Sequence, residues 1–254
     1  MKNEFGAMLL VSAVMFSGCS PDNEGDRAQK QHSSEQQVTQ EEITDATFIG
    51  ASEGNEVKLY KATNGVKLNM NGKAKDFQWA NPGDTGTDPQ VFYTDVTGDE
   101  EKEAVIILCT ARGTGLSMFD IHVVDKDLQE MKFPNYKEIV AEYIASNVVK
   151  KDANTLGITV KVQGKEQNFD FEFADFGFDP QPDLKLEQDE LAFGGQITYF
   201  LEKQKIKLNL TGSVAIYPSP TYVIDFTITY AFDDKKNEFI VDQIDVKPVE
   251  YKKE

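Results

Sequence analysis

The feature that most constrains this chain is a succession of segments in which apolar and polar residues alternate with a period of two, separated by short polar turns. The stretch Tyr222-Val223-Ile224-Asp225-Phe226-Thr227-Ile228-Thr229-Tyr230 shows the pattern most clearly. A period of two puts alternate side chains on opposite faces of an extended strand, so one face can be buried while the other stays wet. Strands are expected near residues 157–162, 167–173, 191–201, 206–216, 222–232 and 239–246. The connections at 164–165, 202–205, 217–220 and 233–237 are short and polar, as antiparallel hairpins require.

The first part of the folded region reads similarly. Residues 56–61 and 65–70 alternate, with Asn64-Gly65 and Asn71-Gly72 as turn signals. Residues 81–84 and 86–89 form a loop, and strands follow at 91–95, 104–109 and 118–124, the last two joined through Arg112-Gly113-Thr114-Gly115. One helix is expected after Pro134-Asn135, because Ile139, Val140, Tyr143, Ile144 and Val148 recur at helical spacing. No repeat of 20–50 residues is present, which excludes a solenoid or a full propeller. The fold class is therefore mainly β, an α+β arrangement with one helix and antiparallel sheets. It divides into a β-rich half at 47–151 and an antiparallel half at 152–254, packed together.

The leading segment has a different character. Met1-Lys2-Asn3-Glu4 precedes an apolar run over residues 5–16 and then Ser17-Gly18-Cys19-Ser20. The run is shorter than the roughly 20 residues that a spanning helix needs and has the length of a signal-peptide core. Ser17, Gly18 and Cys19 resemble the bacterial lipobox, although Phe16 stands where a leucine-like residue is usual. That resemblance implies a lipoprotein signal peptide at 1–18, diacylglycerol on the Cys19 thiol and cleavage on its amino side. Residues 19–46 are rich in Gln, Glu, Asp and Ser, with scarcely an apolar side chain. Such a segment cannot bury enough surface to fold and reads as a disordered tether. The expected address is the extracytoplasmic face of the cell membrane, held by the lipid on Cys19.

Charge and cysteine usage agree with that address. The chain carries 43 acidic and 26 basic residues, a formal net charge of -17. A surface of that sign repels phosphate backbones, so nucleic acid is excluded as a partner, and the protein's own charge does not draw it to anionic lipid. An envelope protein or a wall ligand is the partner class that remains. If lipid consumes Cys19, the second cysteine, Cys109, has no disulfide partner; it lies in Ala104-Val105-Ile106-Ile107-Leu108-Cys109 and reads as a buried small hydrophobe. Exported proteins without disulfides suit a Gram-positive surface.

The sharpest local motif is Asp95-Val96-Thr97-Gly98-Asp99-Glu100-Glu101-Lys102-Glu103, between two strands. Oxygen-bearing side chains at alternate positions can converge on one hard cation, and Gly98 frees the backbone at the tightest point. In this reading Asp95, Thr97 and Asp99 coordinate Ca²⁺ directly, Glu101 offers its carbonyl and Glu103 closes the site. The segment resembles the single aspartate-rich calcium loop of FG-GAP and VCBS repeats, with Thr97 in place of Asp or Asn and Glu100 in place of Gly. From Phe77-Gln78-Trp79 through Asp125, the chain also resembles uncharacterised lipoproteins of spore-forming Gram-positive bacteria. That likeness implies a location and no activity.

Other constellations are blander. Phe169, Phe171 and Phe173 alternate with Asp170 and Glu172, which suggests a core-facing row and a solvated row that guards an edge. His122 is the lone histidine of the folded region; it excludes multi-histidine zinc sites and reads as a hydrogen-bonded strand residue. Arg112-Gly113-Thr114-Gly115 lacks the Lys-Ser/Thr of a P-loop. The expected function is a lipid-anchored, non-enzymatic binding or structural module at the cell surface, stabilised by one calcium ion. The alternative is a cell-envelope hydrolase that uses a carboxylate pair.

Overall fold

The computed structural model describes residues 46–80, 85–179, 186, 188–216 and 220–251. The expected signal peptide, Cys19 and nearly all of the tether lie outside the described residues, as do the loop at 81–84 and most of the turn at 217–220. The folded residues belong to one compact unit, Ile43–Glu254.

The fold is mainly β, with one α-helix among the described residues. Strands β1 (Thr47–Ala51), β2 (Val57–Ala62), β3 (Gly65–Met70) and β4 (Lys73–Phe77) form a four-stranded antiparallel meander. Strands β5 (Gln90–Thr94), β6 (Glu103–Gly113) and β7 (Leu116–Val124) form one side of a seven-stranded sheet, in the order β14-β13-β12-β11-β7-β6-β5. Its other side is β11 (Gln196–Glu202), β12 (Lys205–Ala215), β13 (Pro220–Asp233) and β14 (Glu238–Pro248). Between β7 and β11 the chain makes helix α1 (Tyr136–Tyr143) and the three-stranded sheet of β8 (Ile144–Lys150), β9 (Thr155–Val162) and β10 (Lys165–Glu172). The large sheet thus takes strands from both sides of Asp152 and is antiparallel except at one short junction, where Gln196 and Ile197 of β11 run parallel to Ser117 and Met118 of β7.

Strand β6 explains the layering. Its run is buried on both faces, as a central strand demands. Val105, Ile107 and Cys109 face a core shared with Leu156, Ile158 and Val160 of β9 and with Ile139 of α1. Ala104, Ile106 and Leu108 face a second core shared with Val57, Leu59, Val66 and Leu68 of the meander. Cys109 is a free, buried thiol.

Local chemistry sets the turns. Asn71 (φ 51°) and Gly72 (φ 85°) form the two-residue loop between the paired Met70 and Lys73, the conformation that Asn-Gly favours. The helix starts where Asn135 accepts from the N–H groups of Lys137 and Glu138, while the Glu138 carboxylate accepts from Asn135 N. It ends earlier than its apolar spacing predicts: Ile144 is already extended at φ -121°, and Ile144 and Val148 belong to β8, paired with Val162 and Ile158 of β9. The β-branched residues of this stretch gain more from a ladder and a buried face than from two further helical turns. Among the described residues no helix is long and apolar enough to cross a membrane.

Candidate functional site

The acidic loop connects β5 to β6 at one end of the large sheet, so all five candidate cation ligands sit on or next to a rigid strand pair. Asp95 works as the loop's internal cap: its Oδ1 accepts from Gly98 N at 2.7 Å and its Oδ2 from Glu100 N at 3.1 Å. Those bonds hold Gly98 (φ 90°) and Glu100 (φ 70°) in the left-handed region. Glu100 is thus a non-glycine residue in a conformation that favours glycine. Asp99 Oδ1 accepts from Glu101 N at 2.9 Å. The Glu101 carboxylate pairs with Lys126 Nζ at 2.6 Å and ties the loop to the turn after β7.

Glu103 is the one buried carboxylate among the described residues, with 3 % of its surface exposed. Its Oε2 accepts from Val96 N at 2.9 Å. Burial pushes its carboxyl up, the Val96 N–H draws it down, and the negative charges of Asp99 and Asp95 push it up again; the net direction is upward. Thr97 Oγ1 is buried nearby in sequence without a hydrogen-bond partner. The set thus brings Asp95, Asp99 and Glu103 into electrostatic contact. Yet among the described residues no three His, Cys, Asp or Glu side chains converge as a metal site needs. Asp95, Asp99 and Glu103 are turned onto backbone N–H groups, and Glu101 onto Lys126.

The donor chemistry fits calcium, since every candidate ligand offers oxygen. The orphaned Thr97 hydroxyl and the mutual repulsion at Glu103 are both features that a cation would relieve. Asp99 keeps its second carboxylate oxygen outside these hydrogen bonds, whereas both oxygens of Asp95 accept from backbone N–H groups.

A second cluster was not legible in the sequence beyond His122 itself. His122 of β7 stacks on Trp79 with ring centroids 4.1 Å apart and planes 8° from parallel, and Trp79 in turn stacks on Phe77 at 4.4 Å. Glu130 closes the group, accepting from Trp79 Nε1 at 2.9 Å through Oε2 and meeting His122 Nδ1 at 2.7 Å through Oε1. Burial pushes the Glu130 carboxyl up, but the hydrogen bonds from His122 and Trp79 and the charges of His122 and Lys75 outweigh it, so the net direction is downward. His122 Nε2 is buried and has no hydrogen-bond partner. The partners of His122 come from 43 residues before it and eight after it in sequence, which is why only the folded chain assembles them.

The other sequence features fall into place around these. Phe171 and Phe173 are buried while Asp170 and Glu172 are exposed, and Asp170 pairs with Lys151 at 2.5 Å. The Gly113–Leu116 turn is closed from across the sheet by Tyr222, whose hydroxyl donates to Gly115 O. Comparison with known protein families, with characterised proteins and with solved structures finds no match to this chain.

Proposed function

We propose that this chain is a lipid-anchored extracytoplasmic protein, held at the cell membrane through Cys19, whose β-rich unit acts by binding or display at the cell surface. The observation that carries this reading is Ser17-Gly18-Cys19 directly after the apolar run at 5–16, followed by a polar segment that leads into β1. Lipid on one cysteine gives stable anchoring when two chains are attached. How the polar side chains are employed supports binding over covalent chemistry. The loop carboxylates hold their own backbone, and His122 is stacked on Trp79 and engaged by Glu130.

In the same reading the acidic loop takes up one Ca²⁺ through Asp95, Thr97, Asp99, the Glu101 carbonyl and Glu103, supported by the all-oxygen donor set and the orphaned Thr97 hydroxyl. The partner is an envelope protein or a wall ligand.

Two measurements test this. Cells fed a palmitate analogue should label the wild-type protein and not Cys19→Ala, and the variant should be released or left unprocessed; normal cleavage and membrane retention of Cys19→Ala overturn the anchor. Added Ca²⁺ should raise the melting temperature of the wild type and not of Asp99→Ala, since a ligand that binds only the native state stabilises it by mass action. No response in either protein overturns the calcium site and leaves the anchor untouched.

A further inference from the structure

Strand β14 is the outer strand of the large sheet, and the chain itself closes its free edge at two places. Lys132 forms an isolated parallel bridge with Glu238, in which Phe239 N donates to Lys132 O at 2.9 Å. Further along, the Gln163 side-chain amide accepts from Ile244 N and donates to Asp242 O, straddling Gln243. A residue of a parallel strand bonds its neighbour in the same way. It accepts from the N–H of the residue after its partner and donates to the C=O of the residue before it. Lys132 is thus one residue of a parallel strand laid on this edge, and the Gln163 amide imitates another.

Between them one rung is open. Continuing the Lys132 pairing would bring Pro134 opposite Ile240, and proline has no N–H to give to Phe239 O. The chain turns instead into α1, capped by Asn135. Because Phe239 N points away from β13, alternation along the strand turns Phe239 O and Val241 N outward as well. Those groups open onto a cavity of about 370 Å³ between α1 and β14, lined by Ile139, Glu142, Phe239 and Val241 among others. A second cavity, of about 500 Å³, follows the same strand from Asp242 to Val246 and meets Gln163, Lys165 and Gln167 on its other side. Together the two cavities carry five carboxylates against three lysines, and Glu142 forms no ion pair among the described residues.

We infer that this edge binds an extended, basic segment of a partner protein, which lies parallel to β14 and closes the rung between Phe239 O and Val241 N. The groups themselves select an extended polypeptide. Both existing contacts are peptide-like donor and acceptor sets in parallel register, and both cavities follow the strand. Main-chain bonds of this kind supply affinity, and pockets beside alternate residues supply preference. The excess of carboxylates favours basic side chains there. A segment that runs on past Val241 takes over the rung held by Gln163, which makes Gln163 an internal competitor. The inference rests on the binding reading proposed above and gives the envelope partner a recognisable feature.

The test titrates the chain from Ser20 onward, which retains the whole compact unit, with a blocked heptapeptide of alternating valine and lysine. The Val241 amide should become protected from hydrogen exchange. The same peptide with every peptide nitrogen methylated has no donors for the ladder and should leave Val241 unprotected. Gln163→Ala should tighten peptide binding by about fivefold, the net contribution of one hydrogen bond. Glu142→Lys, at an exposed position, should weaken it by about threefold, the size of a cross-strand charge pair. No protection of Val241 at any peptide concentration overturns the inference, and so does equal protection by the methylated peptide. Equal affinity for a valine–glutamate peptide overturns the preference for a basic segment. Protection of Val241 that grows with protein concentration and needs no peptide overturns the inference in favour of a second copy. The lipid on Cys19 takes no part, so failure here removes this edge as the partner site, leaves a wall ligand as the partner class and leaves palmitate labelling to decide the anchor.

Discussion

The side-chain amide of Gln163 lies against Ile244 as a neighbouring peptide would. Its Oε1 accepts from Ile244 N at 3.1 Å, and its Nε2 donates to Asp242 O at 3.0 Å. Gln163 occupies the β9–β10 turn at φ 47°, and β14 is the outer strand of the large sheet, so the turn caps an edge that would otherwise offer its peptide groups to another chain. Gln163→Ala should destabilise the protein by about 1–2 kcal/mol, two hydrogen bonds at their usual net value, and should raise its tendency to self-associate. Gln163→Glu keeps the acceptor for Ile244 and loses the donor, so its loss should be intermediate. Urea unfolding with analytical ultracentrifugation checks both; a monomeric Gln163→Ala of wild-type stability refutes the capping role.

Glu130 should make the aromatic stack sensitive to acid. Its carboxyl titrates below the ordinary 4.5 in the folded protein, so its contribution is fully present above 4.5 and is lost as pH falls through the folded value. Glu130→Gln should therefore cost stability at neutral pH, by about 1 kcal/mol after allowance for its partial exposure, and cost little at pH values well below 4.5. Trp79 is the sole tryptophan, so its emission reports the stack directly.

Glu103 should behave in the opposite sense. Its carboxyl is raised above 4.5, which means the folded state holds the proton more tightly than the unfolded chain. Stability associated with this group is present below 4.5 and is lost as pH rises through the folded value. Glu103→Gln keeps an acceptor for Val96 N and removes the buried charge, so without calcium it should melt at or above the wild-type temperature at neutral pH. A lower temperature than wild type at neutral pH, in chelator, contradicts this account.

The β11–β12 turn is a place to gain stability. Lys203 (φ 49°) and Gln204 (φ 65°) both hold the left-handed conformation between the paired Glu202 and Lys205, where Asn-Gly is favoured. Lys203→Asn with Gln204→Gly should stabilise the protein by about 1 kcal/mol. The gain is net of the long contact from Gln204 Nε2 to Thr94 Oγ1 at 3.4 Å.

The helix start gives a matched loss. Asn135→Ala removes the acceptor for Lys137 N and Glu138 N and should cost about 1 kcal/mol in denaturant unfolding. Because α1 has only eight residues and a single buried side chain, Ile139, the cap is a large share of what holds it.

Most of the strands were legible because alternation and turn chemistry are local: β9, β10, β12, β13 and β14 fall within a few residues of their sequence boundaries. What escaped was decided at long range. Val148 satisfies helical spacing and strand alternation alike, and pairing with Ile158 decides between them. Strand β4 carries Lys73, Lys75 and Asp76 and has little alternation of its own; it exists because β3 offers it an edge and because Lys75 reaches Leu128 O at 2.7 Å. Leu191 opens no long strand: Ala192 makes an isolated bridge to Ser213, and β11 begins at Gln196. The acidic loop was visible as a motif, whereas the use of Asp95 as its cap depends on φ angles that composition does not carry.

The short parallel junction between β7 and β11 sets an order of events when the chain folds. Every other pairing in the large sheet joins strands adjacent in sequence, so β5–β7 and β11–β14 can each zip up through nearby turns. Joining the two blocks brings Met118 to Ile197 across the whole of α1 and the three-stranded sheet, for only two residue pairs of ladder. Closing so long a loop for so little immediate contact is slow. The seam should be the last part of the sheet to form during refolding and the first to separate under a pulling force, with the two blocks still intact on either side.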